Sequence, residues 1–227
     1  MTVLERSPSH ATAEQVVEWF REDGNMEECP QHVLDLAGVT RDGRDAAAER
    51  LRAASERAGV PPAFMDARPD LAAQGTLRSG RGMWLFGPCG AGKTHAACAM
   101  LRGWLAEGRG GLFATGQGML ASVRASFGGG GDGLAPFMSA PLLVLDDLGK
   151  EPMSAWVASQ AFRLLDARLS HGLPTVATSQ LAPEAWLATV AATSPQTAEA
   201  LESRLMGGTD VRRVSGPDRR ARHNGNG

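Results

Sequence analysis

Gly87-Pro88-Cys89-Gly90-Ala91-Gly92-Lys93-Thr94 stands directly behind the apolar run Met83-Trp84-Leu85-Phe86 and ahead of a helix-like segment that opens near His95. The spacing is that of a P-loop. Glycines let successive backbone N–H groups close around phosphate oxygens, the lysine adds a point charge at the β- and γ-phosphates, and the threonine hydroxyl can join a Mg2+ shell. The helix that follows turns its positive end toward the same anion. A chance match is rare in this chain, which has only two lysines, Lys93 and Lys150. Gly87 to His95 are therefore read as an ATP-binding segment, with Thr94 as a candidate metal ligand.

A second stretch lies some fifty residues downstream. Leu142-Leu143-Val144-Leu145-Asp146-Asp147 is four apolar residues ending in two carboxylates, the pattern of a buried strand that delivers acids to its C-terminal edge. Open α/β sheets bind ligands at that edge. Asp146 is placed to hold Mg2+ and Asp147 to orient or polarise an attacking water.

Between and after these two motifs the chain alternates. Apolar runs at 83–86, 111–115, 142–145 and 175–178 are separated by helix-like segments at about 93–106, 117–126 and 154–170, and a final short strand is expected at 210–214. Strands that are apolar on both sides, alternating with helices, predict an α/β fold with a parallel sheet flanked by helices. A Gly-rich break at 128–133 is expected to be a surface loop, either a plain connection or a functional one.

Upstream, residues 1–58 form a separate compositional zone, expected to be a small helical region that could bind a partner. Val16, Val17, Trp19 and Phe20 follow Thr12 in one helix-like segment, and Asp45 to Ala58 make another, rich in Ala, Glu and Arg. Pro61-Pro62 breaks the pattern, so the ATPase domain is expected over 59–222, with 223–227 a frayed tail.

Composition limits the partners. The net charge of -2 does not mark a general nucleic-acid binder, and residues 1–80 carry 14 acidic against 9 basic side chains. With 21 of 23 basic residues Arg and no Ile or Tyr, the composition looks like the codon bias of a GC-rich genome. Cys29, Cys89 and Cys98 form no Cys-x2-Cys pair, and Cys29 with His32 lacks further ligands, so neither a disulfide framework nor a zinc site is expected. No apolar run approaches a membrane span and no signal-peptide pattern opens the chain, so a cytoplasmic protein is expected.

The ordered set of motifs resembles a known family. Asp146-Asp147-Leu148-Gly149-Lys150-Glu151-Pro152, Trp156, Leu164-Leu165 with Arg168, Pro174 to Gln180, Glu202-Ser203-Arg204-Leu205 and Gly216 to Arg220 are similar to the ATPase domain of DnaC-like replicative helicase loaders. The IstB-type transposition helper ATPases share much of the pattern, and the resemblance covers roughly residues 58–222. It implies an AAA+ P-loop fold, a Mg2+-dependent ATPase and a homo-oligomer. Lys93 and Thr94 match the Walker A pair, Asp146 and Asp147 the Walker B pair, Gln180 the sensor-one position and Arg204 the arginine finger that would reach a neighbouring subunit's ATP. Arg168 matches a family arginine, although an exposed charge at a helix end would look the same.

Two departures from the family pattern stand out. Gln180 replaces the more usual Asn, and Asp147 stands where most AAA+ enzymes outside this family have Glu, which suggests slow turnover. Three functions follow. The first is a loader that places a replicative helicase on single-stranded DNA, favoured over an IstB-type helper by Asp-Asp-Leu-Gly-Lys-Glu. The second is that helper, with a transposase as partner. The third is a non-hydrolysing, ATP-gated adaptor. Five Arg against one Asp over 211–227, together with Arg124, could follow a phosphate backbone; a solvated basic terminus is the other account.

Overall fold

The computed structural model describes residues 41–127 and 131–216, with side chains from residue 46 onward. The expected helix after Thr12, the Cys29/His32 pair, residues 128–130 of the glycine break and the basic tail beyond Gly216 lie outside the described residues. The chain divides into two units, 1–52 and 53–227. Helix α1 (Arg41–Arg57) opens in the first and closes in the second. Its Ala, Glu and Arg content gives it good intrinsic helix propensity.

From there the order is a 3-10 turn (Pro62–Phe64), α2 (Gln74–Arg78), β1 (Gly82–Phe86), α3 (Lys93–Ala106), β2 (Leu112–Thr115), α4 (Gly116–Ser126), α5 (Ala135–Ser139) and β3 (Leu143–Leu148). Then follow α6 (Ala155–Ser170), β4 (Thr175–Ser179), α7 (Pro183–Ala191), α8 (Pro195–Gly208) and β5 (Thr209–Arg213). The five strands form one sheet in the order β2-β3-β4-β1-β5. Every pairing is parallel. A parallel sheet needs a crossover for each connection, and the helices supply it.

Burial on both faces explains why the strands are apolar throughout. Trp84 and Ala177 point into a cluster with Ala158, Trp186, Val190, Leu201 and Leu205 from α6, α7 and α8. Leu143 and Leu145 join Met119, Leu120 and Val123 of α4, Phe137 of α5 and Leu164 of α6. The alternate strand residues Met83, Leu85, Val144 and Val176 are equally buried, and α3 packs against β1, β3 and β4. The Trp84 and Trp186 rings lie 5.4 Å apart at a tilt, and the Trp84 indole donates to Leu181 O at 3.0 Å.

The sheet-and-helix architecture expected from the alternation is present. Helices α7 and α8 were not part of that expectation, although each opens on a proline at its first position, where the missing N–H costs nothing. Arg168 corrects an alternative raised above: it is fully buried, not an exposed helix-end charge. Its guanidinium donates to the carbonyls of Phe137 and Ala140 at 2.8 Å each, to Pro174 O at 2.6 Å and to Thr175 Oγ1 at 2.7 Å. It ties α5 and the start of β4 to α6. Burial pulls its pKa down to about 10, which leaves it cationic at neutral pH.

Candidate functional site

Strand order sets the site. β1 lies between β4 and β5 and one strand from β3, so the segments that leave the C-terminal ends of β1, β3 and β4 converge on one edge. After β1 the chain turns through Gly87, Gly90 and Gly92, all at positive φ, with Gly92 the N-cap of α3. Glycine is required at Gly87, because a Cβ there would meet Val214 O at 2.1 Å. That contact arises where the chain beyond β5 continues the ladder, with Val214 N donating to Phe86 O at 2.7 Å. No side chain caps α3, so its first-turn N–H groups remain available to an anion.

Lys93 opens α3 and is buried. Its ammonium donates to Gly87 O at 2.9 Å and Pro88 O at 2.7 Å, folding over its own loop. Thr94 Oγ1 donates to Asp146 Oδ2 at 3.2 Å, which joins the two motifs.

Asp146 and Asp147 end β3 where its register with β4 shifts, between Leu145 and Leu148. Asp147 sits at φ 60, the only described non-glycine residue at positive φ. Such a conformation costs on the order of 1 kcal/mol or more and needs support. Thr178 of β4, fully buried, supplies it. Its hydroxyl accepts from Asp147 N at 2.9 Å and donates to Asp146 Oδ1 at 2.5 Å. Ser179 Oγ donates to Leu148 O at 2.7 Å and holds the next residue.

Burial raises the Asp146 pKa above the usual carboxylate value, against the hydrogen bonds from Thr178 and Thr94 that lower it. Beneath it, the Cys98 thiol is pushed up to about 12, first by burial and then by the Asp146 charge, so it stays protonated. Asp147 pairs with Lys150, whose ammonium donates to Oδ2 at 2.8 Å. That hydrogen bond raises the Lys150 pKa.

An open cleft of about 380 Å3 lies here, lined by Cys89, Gly90, Gly92, Lys93, Thr94 and His95 on one side and Asp147, Lys150 and Gln180 on the other. Phe64 of the 3-10 turn forms part of the wall, its ring edge-on to His95 at 6.3 Å. Of the remaining residues read from the sequence, Gly87 and Pro88 supply the Lys93 acceptors, Ala91 is buried in the loop and Asp146 lies behind Thr94. Arg204 does not line the cleft. It sits on α8, with its Nε 2.6 Å from Asp166 Oδ1 and its guanidinium over the Phe162 ring at 5.1 Å.

Sequence reading gave Thr178 and Lys150 no part of their own, although both stood inside quoted motifs. A hydroxyl that bridges two strands has no spacing signal within either strand.

The donors suit a nucleotide triphosphate with a divalent cation. Among the described residues no group of three or more His, Cys, Asp or Glu could hold a metal alone. Mg2+ characteristically takes one or two carboxylates plus phosphate oxygens and water, which matches Thr94 beside Asp146. Among the described residues no helix is long and apolar enough to cross a membrane.

Residues 66–226 match the family model of the IstB-like ATP binding protein. A curated relative from Mycobacterium tuberculosis (strain ATCC 25618 / H37Rv), described as a candidate ATP-binding protein in an insertion sequence, is 30% identical over 155 residues. The match spans 67% of this chain and 61% of that one. Among solved structures, DnaI superposes with a TM-score of 0.57 at 22% identity over 70% of this chain and 93% of its own. The DnaC helicase loader gives 0.54 at 21% identity, over 68% of this chain and 100% of its own. These two likenesses speak for the fold. The chain belongs to the IstB-like ATP binding protein family.

Proposed function

We propose that this protein is a slow, Mg2+-dependent ATPase that works as an oligomer to drive a partner enzyme acting on DNA. The observation that carries the reading is the hydrogen-bonded line from Thr94 through Asp146 and Thr178 to Asp147, which sets one hydroxyl and two carboxylates beside the Lys93 loop. Lys93 and the loop N–H groups would cradle the β- and γ-phosphates. Thr94 and Asp146 would hold Mg2+, which when bound neutralises charge on the phosphate oxygens. Asp147 accepts a hydrogen bond from the attacking water. The water oxygen bonds to the γ-phosphorus as the bond to the bridging oxygen of ADP breaks, and the water proton leaves with phosphate or to solvent. Gln180, exposed at the cleft wall, would contact the γ-phosphate or that water.

Arg204 lies outside its own subunit's cleft, and the proposed role is an arginine finger for the neighbouring subunit. Its ion pair with Asp166 is more than one-third exposed on both sides, so it is weak enough to exchange at an interface.

The partner has two readings. The relative in an insertion sequence and the family match favour a transposase. The Asp-Asp-Leu-Gly-Lys-Glu run favours a replicative helicase, loaded onto single-stranded DNA. For DNA contact the described support is Arg124, stacked 4.8 Å over Trp156, with exposed Phe127 edge-on to the same ring at 6.1 Å. Such rings can carry bases.

The test is ATP turnover as a function of protein concentration, with Mg2+ or EDTA, beside co-purification with the transposase or helicase of the same genome. Turnover is expected to rise more than linearly with protein, to need Mg2+, and to be lost in Lys93→Ala and Arg204→Ala. Wild-type turnover per subunit in Arg204→Ala would sink the shared site. Nucleotide binding with no hydrolysis under any condition would leave an ATP-gated adaptor.

A further inference from the structure

The chain carries 21 arginines and two lysines, and both lysines line the same cleft. Where basic positions are almost uniformly Arg, two compact ammonium groups at one site point to a demand for a small point charge that a planar fork does not meet. Lys93 is accounted for by the loop. Lys150 is not: it stands in the Asp-Asp-Leu-Gly-Lys-Glu run, and its ammonium meets Asp147 at the cleft.

The backbone brings Lys150 back over Asp147. Asp147 at φ 60 and Gly149 at φ 89 turn the chain twice through the left-handed region. The turn is fixed from below by Thr178 on Asp147 N, by Ser179 on Leu148 O and by Trp186, 3.3 Å from where a Gly149 Cβ would be. Above this held backbone the exposed Lys150 side chain has room to move. Its pairing with Asp147 is 46% exposed on the lysine side and 37% on the aspartate side, and an ion pair so open to water biases an equilibrium by about fivefold or less. A terminal phosphate carries more negative charge and more acceptor oxygens than one carboxylate, and outcompetes it.

We propose that Lys150 distinguishes ATP from ADP in this cleft, its ammonium exchanging the Asp147 carboxylate for the terminal phosphate of ATP and so releasing Asp147 to face water. This rests on the reading of the cleft as an ATP site. Without a terminal phosphate, Lys150 stays on Asp147 and the carboxylate is engaged. With one, the same ammonium adds to binding and uncovers the acid. ADP, lacking that group, gains nothing from Lys150.

The experiment is calorimetric binding of the non-hydrolysable β,γ-methylene analogue of ATP, and of ADP, to wild type, Lys150→Ala, Lys150→Arg and Lys93→Ala, each with Mg2+. Lys150→Ala is expected to weaken the ATP analogue about tenfold, the size of one charged hydrogen bond or about 1.4 kcal/mol, while ADP changes by less than about twofold. Lys150→Arg keeps the charge but brings a planar fork in place of the compact ammonium, so it is expected to recover only part of the affinity, between wild type and Lys150→Ala. A double-mutant cycle adds a second readout. Asp147→Asn, which removes the competitor, tightens the analogue more when Lys150 is present than in Lys150→Ala. An unchanged ratio of the two affinities in Lys150→Ala, equal weakening of both ligands, or equal gains across the cycle would each overturn the proposal. The position is exposed and bears on no core, so loss of fold does not confuse the result. If wild type binds neither nucleotide, or Lys93→Ala binds both as wild type does, the ATP site itself is wrong.

Discussion

Replacing Thr178 by valine isolates the hydroxyl that ties the acids together. Valine has nearly the shape of threonine, so the fully buried pocket on β4 stays filled and only hydrogen bonding changes. Two bonds go. The one donated to Asp146 Oδ1 at 2.5 Å is charge-assisted and worth about 1.5–3 kcal/mol. The other leaves the Asp147 N–H, now 2.9 Å from Oγ1, without its acceptor, at about 1–3 kcal/mol. Water can reach the partly buried Asp147 end and a methyl in place of the hydroxyl recovers some apolar burial, so the net loss is about 2–4 kcal/mol. That is a large share of the stability of an ordinary domain. The effect on chemistry is separate, because Asp147 loses the contact that supports its left-handed backbone. Turnover at saturating ATP should fall at least about tenfold, equivalent to about 1.4 kcal/mol of barrier. Equilibrium urea unfolding measures the first effect and steady-state phosphate release the second. Thr178→Ser keeps the hydroxyl and should recover most of both. A Thr178→Val protein within about 1 kcal/mol and twofold of wild type would refute the argument that this bridge supports the site.

Three further outcomes are expected. Gly87→Ala places a Cβ 2.1 Å from Val214 O at a φ of 148, so the loop or the end of the sheet must shift; unfolding should show a loss of about 2 kcal/mol or more, and ADP titration a weakened site. Arg168→Met removes the buried fork that five oxygens share; some of the lost bonding is offset by relief of a buried charge, leaving a loss of about 3 kcal/mol in urea, with nucleotide affinity of the folded protein unchanged. The raised Asp146 pKa gives a pH signature in EDTA. Between the unfolded carboxylate value and the higher folded one, the folded state holds the proton more tightly, so wild type loses stability as pH rises through that window. Asp146→Asn cannot ionise and escapes the loss. Its stability advantage should therefore widen from acidic to neutral pH and then level off, and a flat difference would show that burial does not penalise this charge.

Much of the fold was legible because it rests on local pattern. The runs Met83-Trp84-Leu85-Phe86 and Leu142-Leu143-Val144-Leu145 are apolar on both faces, as strands in a covered parallel sheet must be, and both became strands. The glycines of 87–92 and the residue order Lys93-Thr94 carry their chemistry in a single turn of chain, so they could be read before any tertiary contact was known. Other features depend on where separate strands meet. Thr178 matters only because β4 lies beside β3, and Lys150 only because two left-handed residues fold it back. Arg168 matched a family arginine, yet its position near the end of α6 fits an exposed charge equally well; the carbonyls that hold it come from α5 and the turn before β4. Helices α7 and α8 were left out of the expected alternation although their signals are local: Pro183 and Pro195 stand at the first helical position, and Trp186, Leu187 and Val190, then Ala198, Leu201 and Leu205, are buried at helical spacing.

The strand that leads into the phosphate loop is also among the last to be completed during synthesis. Met83 of β1 pairs with Val176 on one side and Asp210 on the other, so neither neighbour exists when β1 leaves the ribosome. Contacts of such sequence separation close slowly, since chain entropy must be lost before they form. Until β5 is in place, Phe86 lacks the Val214 bond that fixes the first residue of the loop. Nascent chains that stop short of residue 209 hold both nucleotide-binding motifs and the strands that bring them together, yet lack the β5 edge beside β1 and the bond on Phe86, so ATP, if it binds only the finished site, favours chains that have made that edge.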